Sequence, residues 1–194
     1  MTARWVGPAL GAWIAALACG GSAVWSYAAA PGEAATPPAE WPASSTIARA
    51  PGVATIVMLA HPHCPCTRAS LSELGTLMAS LRGRAEAHVI FLAPREEGDS
   101  WVKTDLYTQA EAVVGSNVHV DRDGREAARF AAKTSGQTVV YDASGQLVFS
   151  GGITAFRGHP GDNAGRRRIL ARLRGERADS DTSLVFGCPL QDPE

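Results

Sequence analysis

The segment His61-Pro62-His63-Cys64-Pro65-Cys66 places two imidazoles beside two thiols. One proline separates Cys64 from Cys66, so their α-carbons stay within about 7 Å and a mutual disulfide is geometrically possible as a small, strained, readily reduced ring. Across so short a loop a disulfide removes almost no chain entropy, so it would contribute little as a staple. Electron exchange is the more useful role. A second chemistry is open. His61, His63, Cys64 and Cys66 form a soft and borderline donor set suited to Cu(I) or Zn(II), although zinc sites generally draw on two separated ligand pairs and this sequence has no second pair at that spacing. In the redox reading no cofactor is required, and the histidines tune the thiols electrostatically.

The elements around this motif set its position. Thr55–Ala60 and His88–Ala93 are short apolar runs of the kind that form buried parallel strands, and between them Leu71, Leu74, Leu77, Met78 and Leu81 recur at helical spacing, with Gly83 at the stop. The motif therefore lies where a strand ends and a helix begins, where free N–H groups and the helix dipole favour thiolate over thiol. Cys66 has the better helix position as a stabilised thiolate, while Cys64 is expected to be more exposed for attack. Ser100 caps an expected helix reaching Val113, and Asn117–Val120 reads as a strand. Asp121-Arg122-Asp123-Gly124 is a structural turn, since Ala132 stands where a calcium loop needs its last acidic ligand. A short helix over Glu126–Lys133 then leads to a hairpin of Thr138–Asp142 and Gln146–Phe149, and Asn163 caps a last helix reaching Arg174.

The chain has 194 residues, 45% hydrophobic and 19% charged, room for one folded domain with appendages. Its 18 Lys+Arg against 19 Asp+Glu give a net charge of −1, so no global field attracts nucleic acid. Arg166, Arg167, Arg168, Arg172 and Arg174 accordingly read as a solvated face around Ile169, Leu170 and Leu173. From Trp5 to Ala30 no residue is charged, and Arg4 precedes the run. A bilayer core needs about 20 helical residues and positive charge stays inside, so residues 1–30 read as a signal anchor with the remainder in the periplasm; cleavage near Ala28-Ala29-Ala30 is the alternative. Either way the thiols meet an oxidising compartment. Residues 31–51, with Pro31, Pro37, Pro38, Pro42 and Pro51, read as a tether with little to bury.

The element order, with Pro65-Cys66-Thr67-Arg68 opening the first helix and the hairpin over Thr138–Val148, resembles the thioredoxin-like superfamily, in its membrane-tethered extracytoplasmic branch. The signatures HPHCPCTRAS, SGGITAFRGH and VFGCPL are similar to the RedB-type bacterial proteins. The resemblance covers roughly Gly52–Leu190. It implies a three-layer α/β/α sandwich with a central mixed sheet over residues 52–176 and thiol–disulfide exchange with protein partners through Cys64 and Cys66; the apolar Leu184, Val185, Phe186 and Leu190 suggest that the C-terminal tail over 177–194 packs on that domain. Thioredoxins keep two residues between their cysteines. Here either Cys64 matches the first of them with a shortened motif or His63 takes that place. Gly136-Gln137-Thr138 also stands where thioredoxins carry a cis-proline. In that fold Gly151–Asp162 lies at the active end, where Arg157 and His159 could stabilise a thiolate, with Asp162 or Asn163 orienting His159. Cys188 can return to the motif, because a dozen tail residues reach up to roughly 40 Å; there it would resolve a mixed disulfide, serve as a third metal ligand, or lie inert. Three functions stay open: thiol–disulfide oxidoreductase, copper or zinc carrier, and non-catalytic adaptor.

Overall fold

The computed structural model describes residues 3–33 and 35–190; Met1 and Thr2 of the apolar segment, Ala34 of the linker and residues 191–194 of the tail lie outside the described residues. Helix α1 (Ala3–Ala29) is long and apolar enough over Val6–Ala29 to cross a membrane, a property that signal sequences share. Five strands follow, β1 (Ala54–Ala60), β2 (Ala85–Ala93), β3 (Val118–Arg122), β4 (Gln137–Tyr141) and β5 (Leu147–Gly151), in the order β3-β2-β1-β4-β5. β1, β2 and β3 run parallel, while β4 and β5 add antiparallel on the other side of β1. With helices α2 (Pro65–Leu81), α3 (Asp99–Val102), α4 (Asp105–Val114), α5 (Arg125–Arg129) and α6 (Ala164–Arg174) the chain forms a thioredoxin-like fold around a mixed sheet.

All seven residues of the central strand β1 are buried, as its unbroken apolar run requires. Ile56 and Met58 face α2, α4 and α6 through Leu71, Leu74, Leu77, Leu106 and Ile169. Val57 and Leu59 face the opposite side with Ala127, Phe130, Val139 and Tyr141. On this second side the only helix among the described residues is α5, five residues long.

Two expected helices come out differently. The one expected over 100–113 breaks at Lys103, and the extended backbone of Thr104 starts α4. The Thr104 hydroxyl donates to the Pro62 carbonyl at 3.1 Å, and Asp105, favoured in the first turn by the helix dipole, pairs with Arg68 of α2, so the break fastens α4 to the cysteine loop. The helix expected over 126–133 ends at Arg129, beyond which Ala131 turns to a positive φ of 50° and Lys133 goes on to accept from the tail. The Asp121 turn is structural, its carboxylate accepting from the Glu126 and Ala127 amides at 2.9 and 2.8 Å to cap α5. Four of the five α6 arginines are ion-paired: Arg166 with Glu73, Arg167 with Asp162, Arg168 with Asp179 and Arg172 with Asp181.

The linker differs most from its reading as a tether. Trp41 packs edge-on against Phe130 and Tyr141, both with centroids 5.2 Å away. The Tyr141 hydroxyl donates to the Pro38 carbonyl at 3.0 Å, and Ile47 is buried in the second core. Ser45 and Thr46 donate to the Glu126 carboxylate. The physical reason is the brevity of α5: it leaves apolar sheet bare, and the linker covers what the helix does not. Trp41→Ala should therefore lower the unfolding free energy by about 2 kcal/mol, judged from losses at buried aromatics discounted for partial exposure. Urea denaturation checks this; a free tether would give no change.

Candidate functional site

β1 delivers the chain to His61, and the turn that follows closes with the Cys64 amide donating to the His61 carbonyl at 3.2 Å. Cys64 is the N-cap of α2, with extended backbone (φ −83°, ψ 117°), and Pro65 begins the helix, where its missing N–H is not needed. Neighbouring hydroxyls lock the loop. Ser135 accepts from the His61 amide at 2.9 Å and bonds the Thr67 hydroxyl at 2.9 Å, and Thr67 also donates to the His61 carbonyl at 3.2 Å. The Gly136 amide donates to Leu59 at 2.7 Å. Gly136 has φ 88°, and a β-carbon there would stand 2.7 Å from the Ser70 hydroxyl, so glycine is required. No cis peptide bond occurs among the described residues.

The C-terminal tail arrives on this loop. Thr134 bridges antiparallel to Pro189, the Ser135 amide donates to the Cys188 carbonyl at 2.8 Å, and the Leu190 amide donates to Lys133 at 2.9 Å. Gly187 lies so close that a β-carbon would meet the Ser135 carbonyl at 1.9 Å. Leu190, 1% exposed, completes the second core. The tail thereby brings the Cys188 sulfur to 3.1 Å from the Cys64 sulfur, and the Cys188 amide donates to that same sulfur at 3.4 Å.

The three sulfurs are not equivalent. The Cys64 thiol is held down at about 4, chiefly by a hydrogen bond from Cys66, with burial opposing and the Cys188 thiol and amide assisting. Cys66 moves the other way: its bond to Cys64 pushes its thiol up, burial and the neighbouring charges add to this, and only the more distant Arg157 opposes. These shifts favour the thiolate on Cys64 and the proton on Cys66, opposite to the ranking expected from helix position. The expectation that Cys64 is exposed is likewise corrected, since Cys64 is 1% and Cys66 6% exposed. The cause is the tail, which pairs with the loop edge and lies over the sulfur. Beside Cys64 an open depression of about 300 Å³ is lined by Pro62, His63, Pro65, Arg68 and Thr104, among others.

The other candidates separate. Arg157 reaches the tail, its Nη1 donating to the Gly187 carbonyl at 2.5 Å, while its Nε and amide hold the Ala30 and Ala28 carbonyls, each at 3.0 Å, at the exit of α1. It positions the segment before Cys188. His159 bonds the Arg157 carbonyl at 2.6 Å, while Asp162 pairs with Arg167 and Asn163 caps α6 and donates to Glu73, so neither of these two orients His159. The His61 Nδ1 accepts from the His63 amide at 3.1 Å, and both rings pack against Trp101 of α3. Among the described residues no group of three or more His, Cys, Asp or Glu is arranged to hold a metal ion. Trp101, Thr67, Ser135 and Gly187 were not singled out from sequence. Only the glycine next to Cys188 carried a local signal, a residue type that permits close backbone approach.

No protein-family model matches the sequence, and neither does any curated relative. Among solved structures, an uncharacterized conserved protein from Geobacillus kaustophilus is 17% identical, with 85% of this chain and 93% of that one covered at a TM-score of 0.60. A hypothetical protein from Sinorhizobium meliloti is 18% identical, with 72% and 79% covered at 0.58. A secreted Mycobacterium tuberculosis disulfide oxidoreductase, homologous to E. coli DsbE, is 17% identical over 64% of this chain and 83% of that one at 0.45. The first two share this fold.

The sulfur electrostatics have a spectroscopic consequence. Ultraviolet thiolate absorbance of the reduced protein should titrate with a midpoint near pH 4 that vanishes in Cys64→Ser. In Cys66→Ala, which removes the principal donor, the midpoint should rise by at least a unit, corresponding to ~1.4 kcal/mol of lost interaction. An unmoved midpoint would show that the Cys66 thiol is not the cause.

Proposed function

We propose that this chain is a thiol–disulfide oxidoreductase, anchored by α1 outside the cytoplasmic membrane, that exchanges electrons with protein thiols and disulfides. The observation that carries the reading is the sulfur cluster at the start of α2, where the Cys188 sulfur lies 3.1 Å from that of Cys64; the Cys64 thiol is held down and the Cys66 thiol pushed up, which supports it. The similarity of the surrounding motifs to RedB-type proteins, and a fold in which a strand end meets a helix N-terminus at the same place, support it.

The cycle balances within the chain's own sulfurs. The Cys64 thiolate attacks one sulfur of a partner disulfide, forming a mixed disulfide, and the partner's second sulfur leaves as thiolate. That thiolate takes the proton of Cys66. The resulting Cys66 thiolate then attacks Cys64, closes the Cys64–Cys66 bond and releases the partner's first sulfur. Two electrons pass to the partner, and a dithiol donor restores the reduced chain. Cys188, with its sulfur 3.1 Å from that of Cys64, is a second resolving thiol in this scheme and attacks Cys64 in the same way. No cofactor enters this scheme.

Purified full-length chain in detergent should catalyse dithiol-driven reduction of a model protein disulfide. Cys64→Ser should lose on the order of a hundredfold or more in kcat/KM, ~3 kcal/mol of barrier, by removing the attacking atom. A Cys66→Ala, Cys188→Ala double variant should accumulate the mixed disulfide, visible by mass spectrometry. Wild-type rates in Cys64→Ser would sink the reading.

A further inference from the structure

Residues 187–190 lie on the loop edge 133–135 as an added strand segment, with a cysteine aimed at Cys64. Cys64 is 1% exposed, so a partner sulfur meets it only when this segment gives way. The hold is unequal along its length. Pro189 offers no amide; the segment is held by the Ser135–Cys188 and Leu190–Lys133 backbone bonds, the Arg157 bond to Gly187, and two bonds at the Cys64 sulfur itself, one with the Cys188 thiol and one from the Cys188 amide.

Those last two depend on the redox state of the acceptor. A thiolate accepts charge-assisted hydrogen bonds, roughly twice as strong as neutral ones, whereas a sulfur in a disulfide is neutral and accepts weakly. A contact present in one state and weak in the other shifts a conformational equilibrium toward the state that keeps it.

We infer that the edge 133–135 is the docking strand for a cysteine-bearing extended partner segment, that residues 187–190 occupy it as a tethered stand-in, and that closing the Cys64–Cys66 disulfide loosens the stand-in. Resting on the exchange reading of Cys64, this adds a gate: the reduced chain is capped and meets a partner disulfide only as the segment gives way, while the oxidised chain is open to the dithiol donor that restores it. The partner that fits presents a cysteine with a large aliphatic residue two positions after it, to fill the seat of Leu190 among Leu59, Phe130 and Tyr141.

Amide hydrogen exchange on full-length Cys188→Ser, which keeps a hydroxyl donor but lets Cys64 bond only Cys66 within the domain, tests the gate. Oxidation should speed exchange at Ser135, position 188 and Leu190 at least tenfold. A synthetic copy of residues 184–190 carrying the same substitution should bind the oxidised chain at least tenfold more tightly than the reduced one. Equal protection in both states, or peptide binding that ignores redox state, overturns the gate while a mapped Cys64–Cys66 bond leaves the exchange reading intact. If mapping finds no such bond, the exchange reading fails, and Cys64→Ala decides the anchoring: unchanged protection at position 188 and Leu190 overturns it, and lost protection upholds it.

Discussion

A negative charge on a buried sulfur is costly unless donors surround it, and that requirement organises this molecule. Cys64 meets it with the thiol and amide of Cys66 and the thiol and amide of Cys188, two of the four supplied by a segment more than a hundred residues away in the chain. The helix start contributes its dipole, and Pro65 removes an amide that would otherwise compete for a partner. The hydroxyls of Thr67 and Ser135 then keep the cysteine loop and the tail's docking edge in one register. A shift of either would take donors away from the sulfur.

The same tail answers a second demand. One side of the sheet carries the short helix α5, and the apolar residues it leaves bare are covered by Trp41 and Ile47 from before β1 and by Leu190 from after α6. Both ends of the domain are therefore structural. The site inherits this economy: the leucine that closes the core sits two residues from the cysteine that reaches the thiolate. Packing of the fold and placement of the third sulfur are one event.

Much of this was legible in the residues, and the exceptions share a cause. The apolar runs of β1 and β2 and the leucine periodicity of α2 announced themselves because each local pattern agrees with its environment. The Cys64-Pro65-Cys66 motif and the cap at Asn163 were equally plain. The break before Thr104 was not, since it depends on the Pro62 carbonyl, forty-two residues distant. Nor was the shortness of α5, which depends on where the tail pairs. The roles of Cys64 and Cys66 reversed because the strongest determinant was the arrangement of sulfurs around Cys64, and helix position alone ranks them wrongly. Proline-rich composition suggested an idle linker, yet composition reports only what a segment can bury by itself, and here the sheet offered it a surface.

Arg157 ties two distant parts of the chain to one guanidinium. Its ring partner Tyr27 and its carbonyl partners Ala28 and Ala30 belong to the apolar helix and its exit, and Gly187 belongs to the tail. Gly32 adds a bond to Val185 at 2.8 Å. The seam between the hydrophobic segment and the globular body therefore runs near Tyr27, upstream of Pro31, the first proline of the linker. A shortened polypeptide beginning at Pro31 would shed half of the clasp that steadies Gly187, and its sulfurs would describe a looser object than the whole chain does.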